Sequence, residues 1–150
     1  MTDWKKRWRA LHLDKALNYL SLARKAGKLE LGEEPVGAAA RAQHARLVVV
    51  ASDASDHTWR RAKSFVAGTS QECVRLPYTK DDLGIAVGRQ ELAIAALTDP
   101  AMALAFLKAL PNPEKYAEAM ENLDKRSQRI AQRRREEKAH QRNRKLGKKK

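Results

Sequence analysis

Four short apolar segments alternate along the chain with segments of helical periodicity. They span residues 28–31 (KLEL), 46–51 (RLVVVA), 72–78 (ECVRLPY) and 91–97 (ELAIAAL). Runs of this length predict strands, and the β-branched run at 46–51 is typical of a buried central strand. Strands that alternate with helices predict an α/β sandwich whose helices cover both faces of the sheet.

Capping and turn residues set the expected limits of the helices. The first helix runs from Leu13 to Ala26 and ends at Gly27, and the second starts at Gly32 and runs to about residue 44. The third reaches residue 67, the fourth lies between Thr79 and Gly88, and the fifth starts at Asp99-Pro100 and reaches residue 110. Every predicted strand is therefore followed by a helix.

A sixth helix is predicted to begin at Asn112 and Pro113. Its apolar residues fall along one stripe, formed by Tyr116, Met120, Leu123 and Ile130. Beyond Ile130 almost every residue is polar or cationic, so residues 131–150 are expected to form a solvated helix end or a disordered tail. We therefore divide the chain into an N-terminal segment (1–12), a globular domain (13–110) and a C-terminal extension (111–150).

The positive charge lies at the two ends of the chain, whose formal net charge is +13. Residues 125–150 carry 13 Lys or Arg against Glu136 and Glu137, and residues 1–9 carry four against Asp3. The residues between them are close to neutral. A nearly neutral domain with basic ends is typical of a protein that binds a polyanion; the alternative is that the ends only aid solubility.

The N-terminal segment combines tryptophan with basic residues. Trp4, Trp8 and Leu11 share a helical stripe beside Lys and Arg side chains. Three uses compete: packing on the domain, stacking on an unpaired base, or lying in a membrane interface. Packing on the domain is favoured, with RNA contact second.

Few residues of the sequence are candidates for catalysis or metal binding. Cys73 is the single cysteine and is expected to be a small core residue, and no apolar run is long enough for a membrane span or a secretion signal. Asp53 and His57 form the nearest approach to a catalytic pair, but an Asp near a helix start more often caps the helix. We expect a cytoplasmic protein without enzymatic activity, cofactor or metal, and with no membrane partner.

Four segments, taken in order, resemble one family. "LSLARKAGKLELGEE", "ARLVVVASDAS", "LPYTKDDLGIAVGR" and "LAIAALTD" are similar to the L-seven-Ae family of ribosomal and kink-turn RNA-binding proteins, and most similar to its bacterial branch. The likeness covers residues 13–110. It implies a three-layer α-β-α sandwich around a four-stranded mixed sheet, here followed by a basic C-terminal helix or tail.

The resemblance also implies where RNA would be read. In kink-turn-binding members the second helix starts Gly-x-Asn-Glu-x-x-Lys, and its N-terminus enters the RNA major groove. Gly32 matches this pattern, whereas Glu34, Pro35 and Ala38 occupy the other three positions. Ionised Glu34 can only accept hydrogen bonds, while Asn also donates them. The acidic start suits the helix dipole, so we expect weak, salt-labile binding to a standard kink-turn.

Two further positions follow from the family. The loop that corresponds to its second RNA-facing segment contains Arg89, whose guanidinium can contact phosphate or guanine. Lys28, just before the first strand, borders the same edge in the family. The alternative for each residue is a solvated surface charge that does not contact RNA.

The C-terminal extension carries most of the predicted RNA contacts. Arg126, Arg129 and Arg133 would form one cationic stripe on a helix, and Arg134, Arg135, Lys138, Arg142, Arg144 and Lys145 follow. Such residues give affinity with little sequence preference. The sequence therefore predicts a non-catalytic, ribosome-associated protein that binds rRNA of the large subunit, with neighbouring ribosomal proteins as further partners. The alternatives are a protein-interaction module of the same fold or a nonspecific nucleic-acid binder.

Overall fold

The computed structural model describes residues 14–148, with side chains up to Leu146. The N-terminal segment with Trp4 and Trp8 lies outside these residues. In chain order the elements are α1 (Lys15–Lys25), β1 (Leu29–Leu31), α2 (Glu33–Arg41), β2 (Leu47–Val50), α3 (Asp56–Val66), β3 (Glu72–Arg75), α4 (Lys80–Val87), β4 (Ile94–Leu97), α5 (Pro100–Lys108), a 3₁₀ turn (Pro113–Tyr116) and α6 (Ala117–Lys148).

Element types and order agree with the sequence prediction, while several boundaries differ. β4 begins later than predicted, because Leu92 donates its backbone N–H to the carbonyl of Lys80 instead of to a strand. α2 ends before residue 44, since Gln43 adopts a φ of 62°, outside helical geometry. The sixth helix is preceded by the 3₁₀ turn at the predicted start.

The sheet has the order β1-β4-β2-β3. β2 runs parallel to β3, while β4 runs antiparallel to both of its neighbours, β1 and β2. All four residues of β2 are buried, which confirms the predicted central strand. The mixed four-stranded sheet of the sandwich is likewise confirmed.

Side-chain alternation on β2 separates two cores. Leu47 and Val49 face the core that contains α1, α4, α5 and the start of α6. Val48 and Val50 face the core that α2 and α3 form on the other side. Successive side chains of a strand point to opposite faces, and helices on both faces complete the three layers.

α6 belongs to the larger core at its start and leaves it further on. Leu123 is fully buried, Tyr116 and Met120 pack against the same core, and Ile130 is half-buried. The packed region thus continues beyond residue 110. From 131 to 146 every side chain is exposed, so the described part of the basic extension, up to residue 148, is a solvated helix end.

Candidate nucleic-acid interface

Gly32 links the end of β1 to the start of α2. It is the N-cap residue of α2, with a φ of 95°, and its N–H donates to the carbonyl of Ile94 at 3.0 Å. A residue with a Cβ is strained at this φ. The glycine therefore lets the chain turn sharply from the sheet edge into the helix.

The loop after α4 lies directly beside this turn. Gly88 ends α4 in a left-handed conformation, and the loop packs so closely on the helix that a Cβ on Gly84 would lie 2.8 Å from the carbonyl oxygen of Arg89. Nη1 of Arg89 lies 4.0 Å from the position that a Cβ on Gly32 would occupy. The structure therefore brings together Gly32 and Arg89, which the resemblance placed in two separate RNA-facing segments.

The exposed side chains at the start of α2 are those that depart from the kink-turn pattern. Glu34, Pro35 and Ala38 are all exposed, beside Gly32 and Arg89. We call these five residues the α2 edge. Of their ionisable groups, Glu34 and Arg89 offset each other, so this edge provides little net attraction for phosphate.

Glu33 has a structural partner. Its Oε1 accepts a hydrogen bond from Nε of Arg61 on α3 at 2.6 Å, and that guanidinium also lies 5.2 Å from the ring centre of Phe65. The first carboxylate of the acidic helix start thus joins the two helices that cover one face of the sheet.

Lys28 lies at the other end of β1 from Gly32, and its predicted contact with RNA stays a prediction. β1 pairs antiparallel with β4, and Lys28 precedes β1 while Gly32 follows it. The Lys28 carbonyl accepts from Thr98, and its Nζ lies 3.6 Å from Oδ1 of Asp99. Lys28 therefore lies at the opposite end of the strand, near α6.

The predicted cationic residues of α6 differ in their surroundings. Arg129, Arg133, Arg134, Arg135, Lys138, Arg142, Arg144 and Lys145 are exposed. Four of them, namely Arg135, Lys138, Arg142 and Lys145, recur at spacings of three or four residues, and we call these the helix-end stripe. Long cationic side chains on one solvated face can contact successive phosphates.

Arg126 departs from the predicted exposed stripe. It is half-buried, and its Nη1 has almost no accessible surface and no hydrogen-bond partner within residues 14–148. Desolvation and then the charge of Arg46 lower its pKa, while Glu72 opposes this shift. Arg126 therefore lies in a local excess of positive charge.

Sequence reasoning missed two basic residues near the predicted sites. Arg24, at the end of α1, has its Nη1 3.4 Å from the position of a Cβ on Gly88, beside the α2 edge. Arg46, just before β2, lies among the residues around Lys28 and α6. Both lie within segments that resemble the family, but only the fold shows that they approach residues far along the chain.

The residues weighed as enzymatic have structural contacts. Asp53 accepts a hydrogen bond from the backbone N–H of Lys80 at 2.8 Å, at the start of α4. Cys73 is half-buried, and burial is the largest cause that raises the pKa of its thiol to about 12. None of the helices in the described range 14–148 is both long and apolar enough to cross a bilayer.

The sandwich, with a glycine-started helix beside an arginine loop, defines a fold class shared with solved structures. A protein of unknown function from Bacillus halodurans matches with a TM-score of 0.60 and 26% identity, over 64% of this chain and 96% of its own. The Giardia lamblia 15.5kD RNA binding protein matches with a TM-score of 0.54 and 17% identity, over 71% of this chain and 89% of its own. These matches confirm the fold.

A sequence relative is the RNA-binding protein YlxQ of Enterococcus faecium. It is 47% identical over 49 residues, which make up 33% of this chain and 48% of that protein. The match thus spans about half the length of the relative. No protein-family model matches the chain. The comparisons agree with the resemblance to L-seven-Ae proteins in fold, and both the relative and one structural neighbour are named for RNA binding.

Proposed function

We propose that this chain is a non-catalytic RNA-binding protein that associates with structured rRNA of the large ribosomal subunit in the cytoplasm. The observation that carries the proposal is α6, which leaves the core after Ile130 and continues as an exposed helix rich in Lys and Arg. Its charge supplies affinity for the phosphate backbone, and the sandwich supplies a fixed shape. The RNA-binding names of the relatives support the same class of partner.

The two candidate contact regions have different roles in this proposal. The helix-end stripe provides electrostatic attraction without sequence preference. The α2 edge provides one guanidinium, Arg89, next to a backbone turn that approaches the surface closely. Since Glu34 offsets that guanidinium, the edge contributes little to affinity.

Sucrose-gradient sedimentation of cell extracts tests the association. The wild-type chain is expected to co-sediment with the large subunit at moderate salt and to be released at high salt. A variant with the helix-end stripe changed to Gln, at Arg135, Lys138, Arg142 and Lys145, is expected to remain near the top of the gradient.

A matched control removes the same charge elsewhere. Lys15, Lys108, Lys115 and Lys125 are all exposed and lie outside the helix-end stripe. Their change to Gln is expected to preserve most of the co-sedimentation. An equal loss of co-sedimentation in both variants would mean that total charge matters and that the position of the charge on α6 does not. A wild-type chain found in a protein complex free of RNA would favour the protein-interaction alternative.

A further inference from the structure

A cleft lies between α6 and the end of the sheet opposite the α2 edge. It has a volume of about 510 Å³ and is lined by the start of α5, by α6 and by residues that flank β1, β2 and β4. Its charged side chains are Lys28, Arg46, Arg133 and Arg134 against Asp99 and Glu137. Four cations face two carboxylates, so the cleft is positively charged.

The carboxylate of Asp99 is already engaged on both oxygens. Its Oδ2 accepts from the backbone N–H of Met102 at 3.0 Å and caps α5, and its Oδ1 lies 3.6 Å from Nζ of Lys28. Since Asp99 is paired with Lys28, Glu137 is the other carboxylate of the lining that faces Arg46, Arg133 and Arg134. The capped start of α5 adds a small positive potential on the same side.

Arg46 carries an unsatisfied donor in the wall of this cleft. Its Nε has almost no accessible surface and no hydrogen-bond partner within the described residues, and the same holds for Nη1 of Arg126. Desolvated guanidinium donors are costly unless they are paired. Glu72 provides a single negative charge against these two guanidinium groups.

We propose that this cleft binds backbone phosphate of an RNA strand, as a second contact site apart from the α2 edge. The inference rests on the proposed RNA binding and adds where on the domain the strand lies. Arg133 and Arg134, which are exposed and line the cleft, act as phosphate donors, since guanidinium groups form paired hydrogen bonds with phosphate oxygens. Arg46 adds positive charge to the wall behind them. Because α6 forms one wall, a strand held there continues onto the helix-end stripe, which favours a polymer over a single anion.

Binding of a structured rRNA fragment is measured against salt with three proteins. Arg133 and Arg134 line the cleft and are exposed, so their change to Gln is expected to leave folding intact, and thermal unfolding checks this. Losing two phosphate contacts reduces the magnitude of the slope of log K against log salt by roughly 1.4 to 1.8, which weakens binding about 25- to 60-fold at 0.1 M salt relative to 1 M salt. The control, Lys108→Gln with Lys115→Gln, is expected to keep the wild-type slope.

The Nε–Hε NMR signal of Arg46 provides a second readout, with the RNA fragment and inorganic phosphate as separate probes. RNA is expected to shift this signal at concentrations at which inorganic phosphate does not. A shift by phosphate alone, or a cleft variant that behaves as the control while the wild type binds RNA, would overturn the cleft proposal. If the wild type itself binds no RNA, the proposed function fails.

Discussion

Nε of Arg61 and Oε1 of Glu33 lie 2.6 Å apart and join α3 to the start of α2. Both side chains are partly exposed, at 50% and 38%, so the pair lies in a strongly screened setting. Partly exposed pairs contribute up to about 1 kcal/mol to the free energy of unfolding. The acidic start of α2 therefore has a structural explanation within a basic protein.

Glu33→Gln is expected to lower the free energy of unfolding by less than about 1 kcal/mol through loss of this pair. Urea denaturation at low salt measures the change. Glu34→Gln serves as the control, because Glu34 is exposed and shares the same helix end. If both substitutions cost the same, the helix dipole and not Arg61 accounts for the effect of Glu33.

The residues of the α2 edge predict poor binding to a standard kink-turn. Substitutions at three of them are expected to create such binding. Replacing Glu34 by Asn, Pro35 by Glu and Ala38 by Lys introduces the amide and lysine of the kink-turn-binding pattern at three exposed positions. We expect at least a tenfold gain in affinity for a kink-turn over an unkinked duplex in a band-shift assay. Ala38→Lys alone adds the same net charge, and it is expected to increase the affinity for the kink-turn and for the unkinked duplex equally. Tight, selective binding by the wild type would contradict the expectation.

Gly84 is expected to be intolerant of a side chain. A Cβ there would lie 2.8 Å from the backbone of residues 89 and 91, so Gly84→Ala must displace the arginine loop. We expect a loss of about 1 to 3 kcal/mol in unfolding free energy. Gly37→Ala is the control, since its Cβ would meet side-chain atoms of Phe65 and Arg41 at 3.1 to 3.4 Å. A smaller cost at Gly84 than at Gly37 would contradict the close packing of the loop.

The raised pKa of the Cys73 thiol predicts that the protein loses stability at alkaline pH. Its pKa is raised from 9.0 to about 12, so above pH 9 the unfolded chain releases a proton that the folded chain keeps. The stabilisation is therefore complete below pH 9 and is lost as pH rises towards 12, by up to about 1.4 kcal/mol per pH unit. Urea unfolding at pH 8.5 to 11 is expected to show a shallower decline for Cys73→Ala. Identical slopes would show that the thiol ionises normally.

The native thiol is also expected to be unreactive. At pH 8 an aromatic disulfide reagent should modify Cys73 slowly in buffer and rapidly in urea, because only the thiolate attacks. Fast modification of the folded protein would place the thiol in an open position.

Much of the fold follows from local sequence signals. The buried run at 47–50 identifies the central strand, and Asp14, Ser55, Thr79 and Asp99 cap helices through the side-chain oxygens that such residues provide. The late start of β4 did not follow, because Leu92 is apolar but donates its backbone N–H to Lys80 at the start of α4. The pattern of apolar residues alone cannot distinguish a residue paired within the sheet from one bonded to the start of a helix.

The candidate sites were predictable only in part. Gly32 and Arg89 were each named from the family resemblance, and the structure places them close together. Lys28 was assigned to the same edge, although β1 carries it to the other end of the sheet. Arg46, Arg126 and Arg61 depend on contacts between residues 26 or more positions apart, for which a single sequence contains no signal.

Salt dependence of binding to a structured rRNA fragment tests the central claim most directly, namely that the exposed cationic helix supplies the affinity. If about six cations neutralise phosphates, the wild-type slope of log K against log salt is expected to be roughly −4 to −5. The variant with Gln at Arg135, Lys138, Arg142 and Lys145 should give a slope shallower by about 3. An unchanged slope in that variant would contradict the account.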